Sequence, residues 1–146
     1  MSELGAHIKA LIAEDGPITV ERYMELALTH PDYGYYMSRD PFGAAGDFTT
    51  APEITQMFGE LIGLWAAEVW SMMGRPNPLR LVELGPGRGT LMSDALRAAR
   101  IVPEFRAALD VTLVEASPTL AEIQHDTLLT AGAPIAWAPT LAETPD

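Results

Sequence analysis

The sequence predicts an α/β fold: the first half of a doubly wound parallel sheet, preceded by an N-terminal helical region. Three observations carry this. Leu79–Leu84 is a short apolar run that breaks into Gly85-Pro86-Gly87-Arg88-Gly89 and opens a helix at Thr90. Asp110–Glu115 is a second apolar, β-branched run ending in an acid, followed by Ser117-Pro118, an N-cap with a first-turn proline. Ile135–Ala138 is a third, shorter run beyond another helical stretch. Strand, helix, strand, helix, strand is the pattern of a parallel sheet with crossover helices.

Taken in order, Ser2 caps a helix to about Ala13, with Leu4, Ile8, Leu11 and Ile12 on one face, and Asp15-Gly16-Pro17 ends it. Thr19 caps a second helix, Val20 to Leu28, closed by His30-Pro31 because the residue before proline leaves the α region. Residues 32–51 form no periodic element but hold Tyr33, Tyr35, Tyr36, Phe42 and Phe48. A long aromatic loop predicts an ordered lid or pocket wall rather than disorder. Pro52 starts a long third helix to about Met73, ended by Gly74, whose apolar stripe of Ile54, Met57, Phe58, Leu61, Ile62, Trp65, Val69 and Met72 is expected to be core. A connector, Arg75–Pro78, leads to the first strand. Helices are expected from Thr90 to about Arg100 and from Pro118 to Thr130, with an added turn at Ile101–Ala108 and no further strand after Ala138. The division expected is residues 1–75, helical with the lid-like loop 32–51, and residues 76–146, half of a sheet domain. Three parallel strands leave an edge for another half to cover, so the chain reads as part of a longer protein.

At 146 residues with 48% hydrophobic content, the chain suffices for a globular core. It has no cysteine, which excludes disulfides and thiol catalysis. His7, His30 and His125 show no metal-ligand spacing, so no metal is expected. No apolar run approaches the ~20 residues that span a bilayer. The N-terminus shows no targeting segment, which makes the cytoplasm the expected location. A net charge of −11 argues against a nucleic-acid partner and favours approach of a basic substrate.

The glycine turn indicates the cofactor. The spacing is G-x-G-x-G rather than the dinucleotide G-x-G-x-x-G, and Glu83 stands two residues before Gly85. A carboxylate there meets a diphosphate badly and suits a cationic ligand. S-adenosylmethionine carries an ammonium and a sulfonium and no phosphate, and E-x-G-x-G-x-G after a strand resembles the first motif of Rossmann-like methyltransferases. On this reading Gly85, Gly87 and Gly89 let the backbone approach the cofactor and Glu83 serves its methionine end. Glu115, 26 residues after Gly89, accepts from the ribose hydroxyls. The plainer alternatives are that Glu83 caps a tight turn and Glu115 complements a helix dipole.

A wider resemblance follows from Arg22–Leu28, Tyr33–Tyr36, Gly46-Asp47-Phe48-Thr49-Thr50-Ala51-Pro52-Glu53-Ile54, Phe58–Leu61 and Glu83–Leu91, in that order. Together they resemble the MidA-type protein arginine methyltransferases, a family that includes a mitochondrial complex I assembly factor. The resemblance covers essentially the whole chain. It implies a Rossmann-like class I methyltransferase fold, S-adenosyl-L-methionine as cofactor, and an arginine on a protein, such as a respiratory complex I subunit, as acceptor. It also implies the mitochondrial matrix as the location if the source is eukaryotic. Guanidinium stays protonated (pKa above ~12), so carboxylates must orient it and draw its charge away from the attacking nitrogen. Asp47 and Glu53 are the candidates for that catalytic role; each could instead serve only its turn or helix end. Two competing functions are a nicotinamide-dependent oxidoreductase module and a non-catalytic assembly protein that keeps the fold.

Overall fold

The computed structural model describes residues 2–37 and 48–144. The chain divides into two compact units, residues 1–40 and 41–146.

In the first unit, α1 (Glu3–Asp15) begins at Ser2, whose Oγ accepts from the Gly5 amide at 3.2 Å. Helix α2 (Val20–Thr29) begins at Thr19, whose Oγ1 accepts from the Arg22 amide at 3.1 Å. Both caps are those expected from the sequence, and each satisfies one of the amides a helix start leaves without a partner. His30 leaves the helix with ψ 129° ahead of Pro31 and stacks on Tyr33, ring centroids 5.0 Å apart. Residues 34–36 then fold back on α2. The amides of Gly34, Tyr35 and Tyr36 donate to the carbonyls of His30, Ala27 and Leu28 at 2.7, 3.0 and 3.0 Å. The start of the expected lid is therefore a wrap around the end of α2. Residues 38–47, Asp47 among them, lie outside the described residues.

The second unit carries the sheet. Its helices are α3 (Ala51–Ile54), α4 (Gln56–Met72), α5 (Thr90–Ala98), α6 (Pro103–Ala108) and α7 (Pro118–Leu128). Its strands are β1 (Leu79–Leu84), β2 (Leu109–Val114) and β3 (Ile135–Ala138). They pair in parallel in the order β1-β2-β3, with Leu84 opposite Val114 and Val114 opposite Ala138. Val111 and Leu113 of the central strand are fully buried among Met92, Leu96, Phe105 and Trp70. The added turn is a 3-10 turn at Ala99–Ile101 followed by α6. A short 3-10 turn at Leu141–Glu143 follows β3.

Two expectations are corrected. The third helix is not continuous: Thr55 is extended, with φ −155° and ψ 131°, and its Oγ1 accepts from the Met57 amide at 3.3 Å, so α3 and α4 are separate. A threonine there offers the backbone a competing hydrogen bond, which helix periodicity does not register. The apolar stripe is mostly not core: Ile54, Met57, Leu61 and Trp65 are 71, 60, 58 and 64% exposed. The buried line of α4 is Gly59, Gly63, Ala67 and Trp70. A Cβ built on Gly63 would lie 2.6 Å from the Ala95 carbonyl oxygen, and one on Gly59 would lie 2.7 Å from Asp94 Cβ. Close backbone approach to α5, which only these small residues permit, decides which face turns inward.

Candidate functional site

The site lies at the carboxyl end of β1. Gly85, Gly87 and Gly89 all have positive φ, at 63°, 58° and 80°. Side chains with a Cβ rarely adopt this region, so the turn needs glycine at these places. The Gly85 amide donates to the Val114 carbonyl at 2.9 Å, which pins the start of the turn to the end of β2. The Gly89 amide closes the turn on the Pro86 carbonyl at 2.9 Å and delivers the chain into α5. A Cβ on Gly85 would meet nothing within 4 Å. The space above the turn is open.

That space is part of a cleft of about 260 Å³. Glu83, Gly85, Gly87 and Arg88 line it from the strand and turn, and Glu53 and Phe58 from α3 and α4. Glu83 Oε2 is buried with no hydrogen-bond partner. Burial pushes the Glu83 carboxyl from 4.5 up to about 7. A carboxylate taken from water without a donor is costly, and a cation in the cleft would supply the missing interaction.

Glu53 sits in the single turn of α3, its side chain 18% exposed. Its Oε1 accepts from Thr90 Oγ1 at 2.5 Å, and its Oε2 lies 4.0 Å from Arg88 Nη1. The first turn of α5 and the glycine turn thus orient this carboxylate within the cleft. Glu53 and Glu83 are brought together there, as lining residues of one depression.

Glu115 stands at the end of β2, where its amide donates to the Ala138 carbonyl at 2.9 Å. Its Oε1 accepts from the Ser117 amide at 2.8 Å and its Oε2 from Gln124 Nε2 at 3.0 Å. It does not line the cleft around Glu83. It is joined to the glycine turn through Gln124, whose Nε2 also donates to the Gly87 carbonyl at 2.8 Å.

Sequence reasoning missed Thr90, Arg88 and Gln124. For Gln124 a signal existed. Leu120, Gln124 and Leu128 repeat at helical spacing and are all buried in α7, so a polar residue on the inward face marks a hydrogen-bonding task. Among the described residues there is no cluster of three or more His, Asp or Glu that could hold a metal. None of their helices is long and apolar enough to cross a membrane.

Residues 61–146 match a protein-family model described as "putative S-adenosyl-L-methionine-dependent methyltransferase". The chain is 48% identical over 124 residues to the mitochondrial protein arginine methyltransferase NDUFAF7 of Homo sapiens, covering 84% of this chain and 28% of that protein. It is 49% identical over 123 residues to the Drosophila melanogaster homolog, covering 83% of this chain and 28% of that protein. The crystal structure of a COG1565 superfamily member from Burkholderia thailandensis bound to S-adenosyl-homocysteine superposes with a TM-score of 0.79 at 30% identity, over 98% of this chain and 38% of that one. The chain therefore spans about 28% of the length of these curated relatives.

Proposed function

Since this chain belongs to the S-adenosyl-L-methionine-dependent methyltransferase family and has its α/β fold, we propose that it carries the cofactor site of a protein arginine methyltransferase. The observation that carries this is Glu83 Oε2, buried and unpartnered beneath an open glycine turn. The residues present fit the cofactor. Glu83 answers a cationic methionine end, and the turn leaves room that a Cβ at Gly85 would fill. S-adenosyl-L-methionine, when bound, supplies an electrophilic methyl group for in-line transfer.

The chain's own part is positioning and electrostatics. Glu83 holds the ammonium end, directly or through water. Gly85, Gly87 and Gly89 allow close backbone approach, and Glu115 accepts from the ribose hydroxyls. Glu53 orients the acceptor guanidinium. Thr90 fixes one of its oxygens while the other already faces a guanidinium, that of Arg88, at 4.0 Å. A carboxylate so placed draws positive charge away from the attacking nitrogen. Asp47 stays a second candidate from the sequence. The domain division proposed is the one read from the sequence: residues 1–75, a helical region with the lid-like loop 32–51, and residues 76–146, the first half of a Rossmann-like methyltransferase domain. The relatives' names support a protein arginine as acceptor; a respiratory complex I subunit is the acceptor the motif resemblance implies. Action in the cytoplasm, or in the mitochondrial matrix of a eukaryote, completes the reading, and the relatives' mitochondrial names favour the second.

The test is calorimetric titration of the chain with S-adenosylhomocysteine and, in parallel, NADH. Saturable binding of the first alone, lost in Gly87→Val, is expected. Binding of NADH alone would turn the site into a nicotinamide module. A folded chain that binds neither sinks the claim that these residues suffice.

A further inference from the structure

We infer that Gln124 is the positioning residue that fixes the Glu115 carboxylate relative to the glycine turn, and thereby the site's demand for an intact ribose diol. The inference rests on the ribose role proposed above for Glu115.

Gln124 is completely buried, and both ends of its amide are committed. Trp137 Nε1 donates to its Oε1 at 3.0 Å. An indole N–H only donates, so the amide oxygen must face Trp137 and the amide nitrogen must face the other way. The two hydrogens of Nε2 then meet two acceptors, the Gly87 carbonyl at 2.8 Å and Glu115 Oε2 at 3.0 Å. The orientation is thus fixed by chemistry. The stem runs past the third glycine: a Cβ added at Gly89 would stand 3.5 Å from Gln124 Cγ. One side chain therefore bonds the second glycine of the turn, the acid at the end of β2 and the tryptophan of β3.

Glu115 has no other side-chain donor among the hydrogen bonds described. Its Oε1 is held by the Ser117 amide of its own loop and its Oε2 by Gln124. Without Gln124 the carboxylate keeps its bond to the Ser117 amide and loses its side-chain tie to the turn, while the backbone stays joined through Gly85 and Val114. Two hydroxyls spaced as in a vicinal diol need the carboxylate at a fixed height above the glycines. A ligand that lacks one of them does not.

The measurement is the affinity of the chain for S-adenosylhomocysteine and for its 2′-deoxy analogue, in wild type, Gln124→Met and Trp137→Phe. Melting temperature serves as the control for folding. Wild type is expected to prefer the diol by about tenfold, the worth of one hydrogen bond to a charged group. Gln124→Met keeps the volume and is expected to bind the analogue nearly as wild type does while the preference falls towards one. Trp137→Phe frees the amide to flip and is expected to lose part of the preference. A preference kept at tenfold in Gln124→Met, with both affinities lowered alike, would make Gln124 a packing residue and overturn the inference while leaving the proposed function standing. Wild type that binds both ligands equally overturns the role of Glu115 and this inference with it. Wild type that binds neither overturns the proposed cofactor site itself.

Discussion

Replacing Glu83 by glutamine separates the stability of this fold from its function. In the folded chain the carboxyl titrates at about 7 rather than 4.5, because burial disfavours its charged form. Between those values the folded state holds a proton that the unfolded chain has released. Stability from this group is therefore fully present below pH 4.5, falls as pH rises and is lost once the folded carboxyl ionises above about 7. The rise corresponds to about 3 kcal/mol, and partial contact with solvent brings the expected figure nearer 2. Urea unfolding of wild type and Glu83→Gln, followed by tryptophan fluorescence at intervals from pH 4.5 to 8, measures it. The gap between the two curves should widen in favour of the variant by about 2 kcal/mol across that range. Affinity of wild type for S-adenosylhomocysteine should rise with pH through the same window, because only the ionised carboxylate attracts its ammonium. The variant should bind weakly at every pH. Parallel stability curves would refute the reasoning, since they would mean Glu83 is not a strained acid in the folded chain.

Other outcomes follow from the same geometry. Gly63→Ala should destabilise the fold by about 1–3 kcal/mol in thermal melts, because the new methyl meets the backbone of Ala95 rather than a side chain that can move. Gly85→Ala has room for its methyl but must adopt φ 63°, so a cost of about 1–2 kcal/mol is expected together with loss of S-adenosylhomocysteine binding, since the methyl enters the cleft. Glu53→Gln should leave that affinity within about twofold and lower methyl transfer to an arginine-bearing acceptor by about 100-fold, the scale set by misorientation of a reacting group. Equal losses in binding and transfer would assign Glu53 to the cofactor.

The strands were legible because apolar runs bounded by glycine and proline leave little choice. Leu79–Leu84 and Ile135–Ala138 fall where the pattern puts them, and Ser2, Thr19 and Ser117 each cap the helix they precede. The inward face of α4 was not legible. Hydropathy favours Met57, Leu61 and Trp65, but packing against α5 rewards the absence of a side chain at Gly59 and Gly63. Glu83 and Glu53 were both drawn from sequence, and their sharing of one cleft came from α3, a single turn set apart from α4 by the extended Thr55. The inward place of Gln124 was legible from its spacing with Leu120 and Leu128, but its three partners, 37, 9 and 13 residues away, were not, because no local pattern acts over those distances.

The strand exits bear on how the cofactor floor moves. Gly85 gives its amide hydrogen to the last carbonyl of β2, and Glu115 gives its own to the last carbonyl of β3. In a hydrogen-exchange experiment, glycine-rich turns usually trade their amide protons quickly, through small local openings. These two cannot open without parting one strand from the next. Their amides should therefore exchange in the slowest class, with Val111 and Leu113, while Gly87 exchanges sooner. On that outcome the start of the glycine turn keeps time with the sheet rather than with the loop it belongs to.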